Sequence, residues 1–84
     1  MTSIKMGASG DDVRRLQETL NLVVPATPKL RVDGIFGPKT QARVLAYQQS
    51  VGLIADGIVG PLTTKALVGS VLIATVNRRH PHFV

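Results

Sequence analysis

Three observations predict an all-α fold, a compact three-helix bundle with two Asp-Gly turn repeats. An octapeptide occurs twice. Asp33-Gly34-Ile35-Phe36-Gly37-Pro38-Lys39-Thr40 returns 23 residues later as Asp56-Gly57-Ile58-Val59-Gly60-Pro61-Leu62-Thr63, with six of eight positions identical. A fixed period reports a repeated supersecondary unit. Each copy carries a Gly-Pro pair that suits the start of a helix. Upstream of both, Val13, Leu16 and Leu20 recur at i, i+3, i+7, which is one helical face.

The first helix is expected to take Ser9 as N-cap, with Asp12 three residues on as an acidic variant of the capping box. Asp11 and Asp12 place negative charge at the positive end of its dipole. Pro25 and Pro28 mark the loop that follows, because neither continues a helix. The second helix is predicted to begin at Pro38, capped by Gly37. Its mainly apolar face holds Val44, Leu45 and Gln48, flanked by Ala42 and Tyr47, and Gly52 ends it. The third repeats the device with Gly60 and Pro61, and Ala66 and Leu67 are its apolar residues.

Before each repeated helix the Asp side chain is placed to accept from a backbone amide two residues on, while Gly tolerates positive φ. Ile35 and Ile58 then read as plugs turned inward, with residues 29–32 and 53–55 as short lead-ins. Residues 68–76 are rich in β-branched side chains, which favours strand. Arg78, Arg79 and His80 before Pro81 favour a helix end instead. A helix is the expectation. Domain division follows: residues 1–68 form the domain, and residues 69–84 a C-terminal extension.

Eighty-four residues make one small domain. The absence of cysteine excludes a disulfide framework, a thiolate metal site and a cysteine nucleophile. A net charge of +5 suits either an anionic partner or simple solubility. The basic residues are scattered apart from Arg14-Arg15 and Arg78-Arg79, and stacking aromatics are few, so nucleic acid is not an expected partner. Residues 1–6 hold no apolar core of a signal peptide, and no run approaches a membrane span.

Four separated blocks carry a family resemblance. They are Gly7-x-Ser9-Gly10-x-x-Val13-x-x-Leu16-Gln17-x-x-Leu20, the Asp33 octapeptide, Val44-x-x-Tyr47-Gln48, and Gly52-Leu53-x-x-Asp56 through Thr63 to Leu67. In order and spacing, over about residues 5–68, they resemble the peptidoglycan-binding domain of bacterial and phage cell-wall hydrolases. The resemblance implies a module that holds murein without cleaving it. It also implies a place in the bacterial cell envelope, outside the cell or on a phage particle. With no catalytic segment beside these blocks, a stand-alone adaptor is expected, serving a separate cell-wall hydrolase, a phage tail or a secretion component. The first loop departs from the pattern, with two prolines in place of the usual glycine after the helix.

The residues suggest little catalytic chemistry. Asp33 and Asp56 form a repeat-related carboxylate pair of the kind that runs glycoside hydrolysis, yet their turns already explain them. His80-Pro81-His82 lacks further metal ligands, and no cofactor or metal is expected. Gln17 and Gln48 sit at matched places and must find partners: a turn backbone, or in the case of Gln48 equally a ligand groove. Phe36 reads as core, because Val59 replaces it in the second repeat. Tyr47 offers a stacking face with a polar tip. Lys39 and Arg43 together suit a peptide carboxylate. The candidate ligand-binding set is therefore Tyr47, Gln48, Arg43, Lys39, Asp33 and Asp56, edging a shallow groove along the second helix and the two turns. The alternative is a structural or protein-interaction module that kept the fold without binding murein. It would use apolar Val71, Leu72, Ile73 and Val76 for a partner or for homo-oligomerisation, since these residues cannot share one helix side.

Overall fold

Pro38 and Pro61 each open a helix at the position their sequence marks. The computed structural model describes the backbone of residues 3–79 and the side chains of residues 3–73. It contains α1 (Asp11–Val23), α2 (Pro38–Ser50) and α3 (Pro61–Arg79). Among the described residues there is no β-sheet, only isolated bridges joining Ile4 to Val59 and Ser9 to Ile35. Helix α1 packs against both α2 and α3.

The start of α1 differs from the expectation. Gly10, at φ 118°, occupies the N-cap, and no side chain caps the helix. Ser9 is held instead in its bridge to Ile35, so its backbone belongs to the turn next door. Gly37 caps α2 as expected, with Pro38 in the first turn.

Val13, Leu16 and Leu20 of α1 meet Val44 and Tyr47 of α2, Leu67 of α3, and Leu30, Phe36 and Val59 from the loops, in one core. The inward residue of each repeat is the one after the isoleucine. Phe36 and Val59 are buried, whereas Ile35 and Ile58 are exposed. This corrects the reading of Ile35 and Ile58 as plugs. The Ile35 and Ile58 amides point back to the Asp carboxylates, and their carbonyls accept from Gln17 and Gln48. With that peptide unit fixed toward the protein, the next side chain is the one that enters the core. On α2, Ala42 is exposed and the buried set is Thr40, Val44, Tyr47 and Gln48.

The N-terminal segment ties the two repeats together. Ile4 and Val59 exchange backbone hydrogen bonds of 3.0 and 2.8 Å, and Phe36 donates to the Ala8 carbonyl at 2.9 Å. Residues 4–8 span at most roughly 14 Å of chain, which bounds the separation of the Ile4–Val59 and Ala8–Phe36 contacts.

Helix α3 runs unbroken through Gly69, so the expected boundary after residue 68 falls inside a helix. Leu72 and Ile73 are exposed and Val71 is half-buried. The side chain of Val76 and the whole of residues 80–84, including His80 and His82, lie outside the described residues.

Candidate functional site

The two repeats build the same buried device twice. Gln17 reaches from α1 into the first turn, and its amide nitrogen donates to Asp33 Oδ1 (3.0 Å), the Ile35 carbonyl (3.0 Å) and Thr40 Oγ1 (3.1 Å). Its oxygen accepts from the Gly34 amide at 2.9 Å. Gln48 does the same from α2: Nε2 donates to Asp56 Oδ1 (3.1 Å), the Ile58 carbonyl (3.0 Å) and Thr63 Oγ1 (3.1 Å), while Oε1 accepts from Gly57 at 3.0 Å. Both glutamines are 1% exposed. A buried amide is tolerable only because every polar end has a partner.

Each Asp carboxylate closes its own turn by accepting from the amide two residues on. Both carboxyls are held below the ordinary value of 3.8. For Asp33 the causes are the Ile35 amide first, then Gln17, with the Arg31 charge contributing; for Asp56 they are the Ile58 amide, then Gln48. Both carboxylates are biased toward the ionised, acceptor-only form. Glycoside hydrolysis requires one partner to keep its proton as general acid, which is the opposite bias.

A cleft opens beside each turn. The first, of about 370 Å³, is walled by Ile35, Leu30 and the start of α2, with Arg31, Asp33 and Lys39 among its lining. The second, of about 290 Å³, is walled by Ile58, Leu53 and the start of α3, with Ile54, Asp56 and Leu62 in the corresponding places. Leu30 is fixed by Asn21, which accepts from its amide at 2.7 Å and donates to its carbonyl at 2.9 Å.

The structure divides the six expected site residues. Asp33 and Lys39 come together in the first cleft, and Asp56 lines the second. Gln48 faces inward with its amide fully engaged. Tyr47 is also buried, 2% exposed, and shares a 2.8 Å hydrogen bond with Ser70 Oγ across to α3. Neither presents a surface for stacking or for hydrogen bonds to a groove. Arg43 turns to the first loop, where Nη2 donates to the Pro28 carbonyl at 2.9 Å, and it does not line the first cleft. Arg31, which was not among the expected residues, also lines the first cleft. Extending the 23-residue register two positions upstream of Asp33 would have paired it with Ile54 and singled it out.

A third, apolar groove of about 430 Å³ lies between α1 and α3, lined by Leu16, Thr19, Leu67, Val68 and Val71, with Asp12 and Arg15 among its other lining residues. Among the described residues no group of three or more His, Asp or Glu is placed to hold a metal, and no helix is long and apolar enough to cross a membrane.

Comparison with known proteins gives a consistent result. Residues 9–67 match the family model described as "Putative peptidoglycan binding domain". The N-acetylmuramoyl-L-alanine amidase CwlL of Bacillus licheniformis is 42% identical over 66 residues, covering 79% of this chain and 18% of the relative. The zinc D-Ala-D-Ala carboxypeptidase of Streptomyces albus G is 43% identical over 61 residues, covering 73% of this chain and 24% of the relative. The chain thus spans about a fifth of the length of these curated relatives. The crystal structure of the SleB N-terminal domain superposes with a TM-score of 0.74 at 36% identity, covering 82% of this chain and 92% of that one.

Proposed function

The chain belongs to the peptidoglycan-binding domain family, and from that premise we propose that it is a non-catalytic module that holds peptidoglycan through the two turn clefts. The observation that carries the reading is the duplicated cleft on the matched scaffold. Buried amides spend themselves on holding two turns rigid, which leaves the turn surfaces themselves to meet a ligand. Rigid walls lower the ordering cost of binding. Ile35 and Ile58 supply apolar faces, and Asp33, Asp56, Arg31 and Lys39 supply polar edges. Two modest contacts on one polymer reinforce one another where both can be engaged at once, because the second forms at high effective concentration. The relatives are named for N-acetylmuramoyl-L-alanine and D-Ala-D-Ala, both pieces of peptidoglycan, which supports the same ligand class.

In this reading the module is a cell-wall-targeting adaptor acting at the bacterial envelope, outside the cell or on a phage particle. It brings a cell-wall hydrolase, a phage tail or a secretion component to the wall. Co-sedimentation with purified murein sacculi tests it. The protein should pellet with sacculi well above a folded control domain of equal net charge, and equal pelleting would refute the reading.

One observation favours a second role for α3. Val68, Leu72 and Ile73 are 57–64% exposed, and Val68 and Leu72 also line the apolar groove between α1 and α3. Contiguous exposed apolar surface marks interaction sites. Sedimentation equilibrium of wild type against Leu72→Asp/Ile73→Asp distinguishes the roles. Loss of an oligomer with wall binding intact would assign the ridge to self-association.

A further inference from the structure

The two clefts share a scaffold and differ at the rim. Arg31 and Lys39 of the first stand where the second has Ile54 and Leu62. All four positions are exposed, with Ile54 at 85% and Leu62 at 72%. Resting on the peptidoglycan reading above, we propose that the first cleft takes a carboxylate of the peptidoglycan peptide while the second takes an uncharged part of the same polymer.

The rim chemistry carries this assignment. The buried network is duplicated bond for bond, so turn stability gives no reason for the rims to differ. In the first cleft two cations face one carboxylate, Asp33, whose single negative charge leaves one positive charge uncompensated. That balance matches a monoanion. Arg43 is not among the lining residues, and its Nη2 donates to the Pro28 carbonyl. The Asp33 carboxyl is held below its ordinary value by the Ile35 amide and Gln17 first, with the Arg31 charge the smallest contributor. A guanidinium and an ammonium lining the same cleft are the groups that bind a carboxylate by charge-assisted hydrogen bonds. Among the described residues that line the second cleft Asp56 is the only charged one, and an added anion would meet repulsion from it. Its exposed Ile54 and Leu62 suit apolar contact instead, such as alanine methyl groups or the face of a sugar ring.

The test uses the whole chain and three proteins: wild type, Arg31→Ile/Lys39→Leu, which installs the second rim on the first cleft, and Arg31→Gln/Lys39→Gln, which removes charge but keeps polarity. Each is titrated against murein sacculi stripped of phosphate-bearing polymers, and against the same sacculi with their carboxylates amidated. Wild type should bind amidated sacculi about tenfold more weakly, the loss of roughly one charge-assisted contact. Both variants should bind unmodified sacculi about tenfold more weakly and be indifferent to amidation, with melting temperatures near wild type. Variants that bind as wild type does, or wild type indifferent to amidation, would overturn the carboxylate assignment while leaving peptidoglycan binding in place. Wild-type binding that appears only when phosphate polymers are retained would overturn it in favour of phosphate. No binding to any sacculi would remove the peptidoglycan reading and this assignment with it.

Discussion

The first and second repeats are one design executed twice, and the differences between them separate what the fold requires from what the surface does. Gln17 and Gln48, Asp33 and Asp56, Thr40 and Thr63 make matching hydrogen bonds within 0.1 Å of each other. The positions that vary are of two kinds. Phe36 and Val59 differ in size at the core. Arg31 and Ile54, and Lys39 and Leu62, differ in chemistry at the rim. Invariance in the network with variation at the rim is what a repeated structural support with two separate surfaces produces.

The core difference gives the largest expected effect. Phe36→Ala should destabilise by about 3–5 kcal/mol, because it removes an aromatic side chain that is 1% exposed and leaves a cavity. Val59→Ala should cost visibly less, since fewer buried atoms are lost. Urea unfolding measures both. Equal losses would mean that the two inward positions are not used alike by the core.

Next come the glutamines. Gln17→Leu and Gln48→Leu each remove four hydrogen bonds and leave a buried Gly amide without its acceptor. A loss of about 2–4 kcal/mol is expected for each. A difference of more than about 1 kcal/mol between them would break the equivalence of the repeats.

The turn glycines sharpen the comparison further. Gly34 and Gly57 have φ of 75° and 74°, the left-handed region that disfavours other residues. A Cβ at Gly34 would meet the Arg14 side chain at 3.2 Å and also the Gly10 carbonyl oxygen at 3.3 Å, whereas at Gly57 the near atoms all belong to the Gln41 side chain. Backbone cannot yield as a side chain does. Gly34→Ala should therefore cost about 1–2 kcal/mol, and Gly57→Ala less. The reverse order in thermal melts would contradict this account of the turns.

The smallest effect is acid sensitivity. Asp33 and Asp56 have folded-state carboxyls depressed below 3.8, by the turn amides and the glutamine side chains. Their contribution to stability is present above the unfolded-state value and is lost as pH falls through the lower folded-state value. The melting temperature should decline as pH is lowered from about 5 toward 2. Asp33→Asn and Asp56→Asn, which retain an acceptor oxygen but do not titrate, should each flatten that decline. An unchanged acid profile in the double variant would remove the turns from the pH response.

Much of this frame was legible in the sequence for identifiable reasons. Proline has one good place in a helix, so Pro38 and Pro61 marked both starts. The Val13–Leu16–Leu20 stripe has no alternative to a buried face, and all three are buried. An amide among apolar residues needs partners, which pointed Gln17 to the Asp33 turn. The misses share a cause. Which neighbour of the Ile-Phe pair turns inward, and whether Tyr47 is covered, depends on contacts distant in sequence. The Gln17 bond to the Ile35 carbonyl turned Ile35 out, and the approach of α3, marked by the Ser70 bond, covered Tyr47. Arg31 was passed over because it lies upstream of the identical octapeptide.

The claim at the centre of this account is that the paired turn clefts face the ligand. It is tested most directly by NMR of the uniformly ¹⁵N-labelled protein, titrated with soluble muropeptides released from purified sacculi. The account predicts amide shift changes concentrated in residues 30–40 and 53–63, with α1 nearly unmoved. Changes confined to the groove between α1 and α3, around Thr19, Val68 and Val71, would contradict it, and so would no change at millimolar muropeptide.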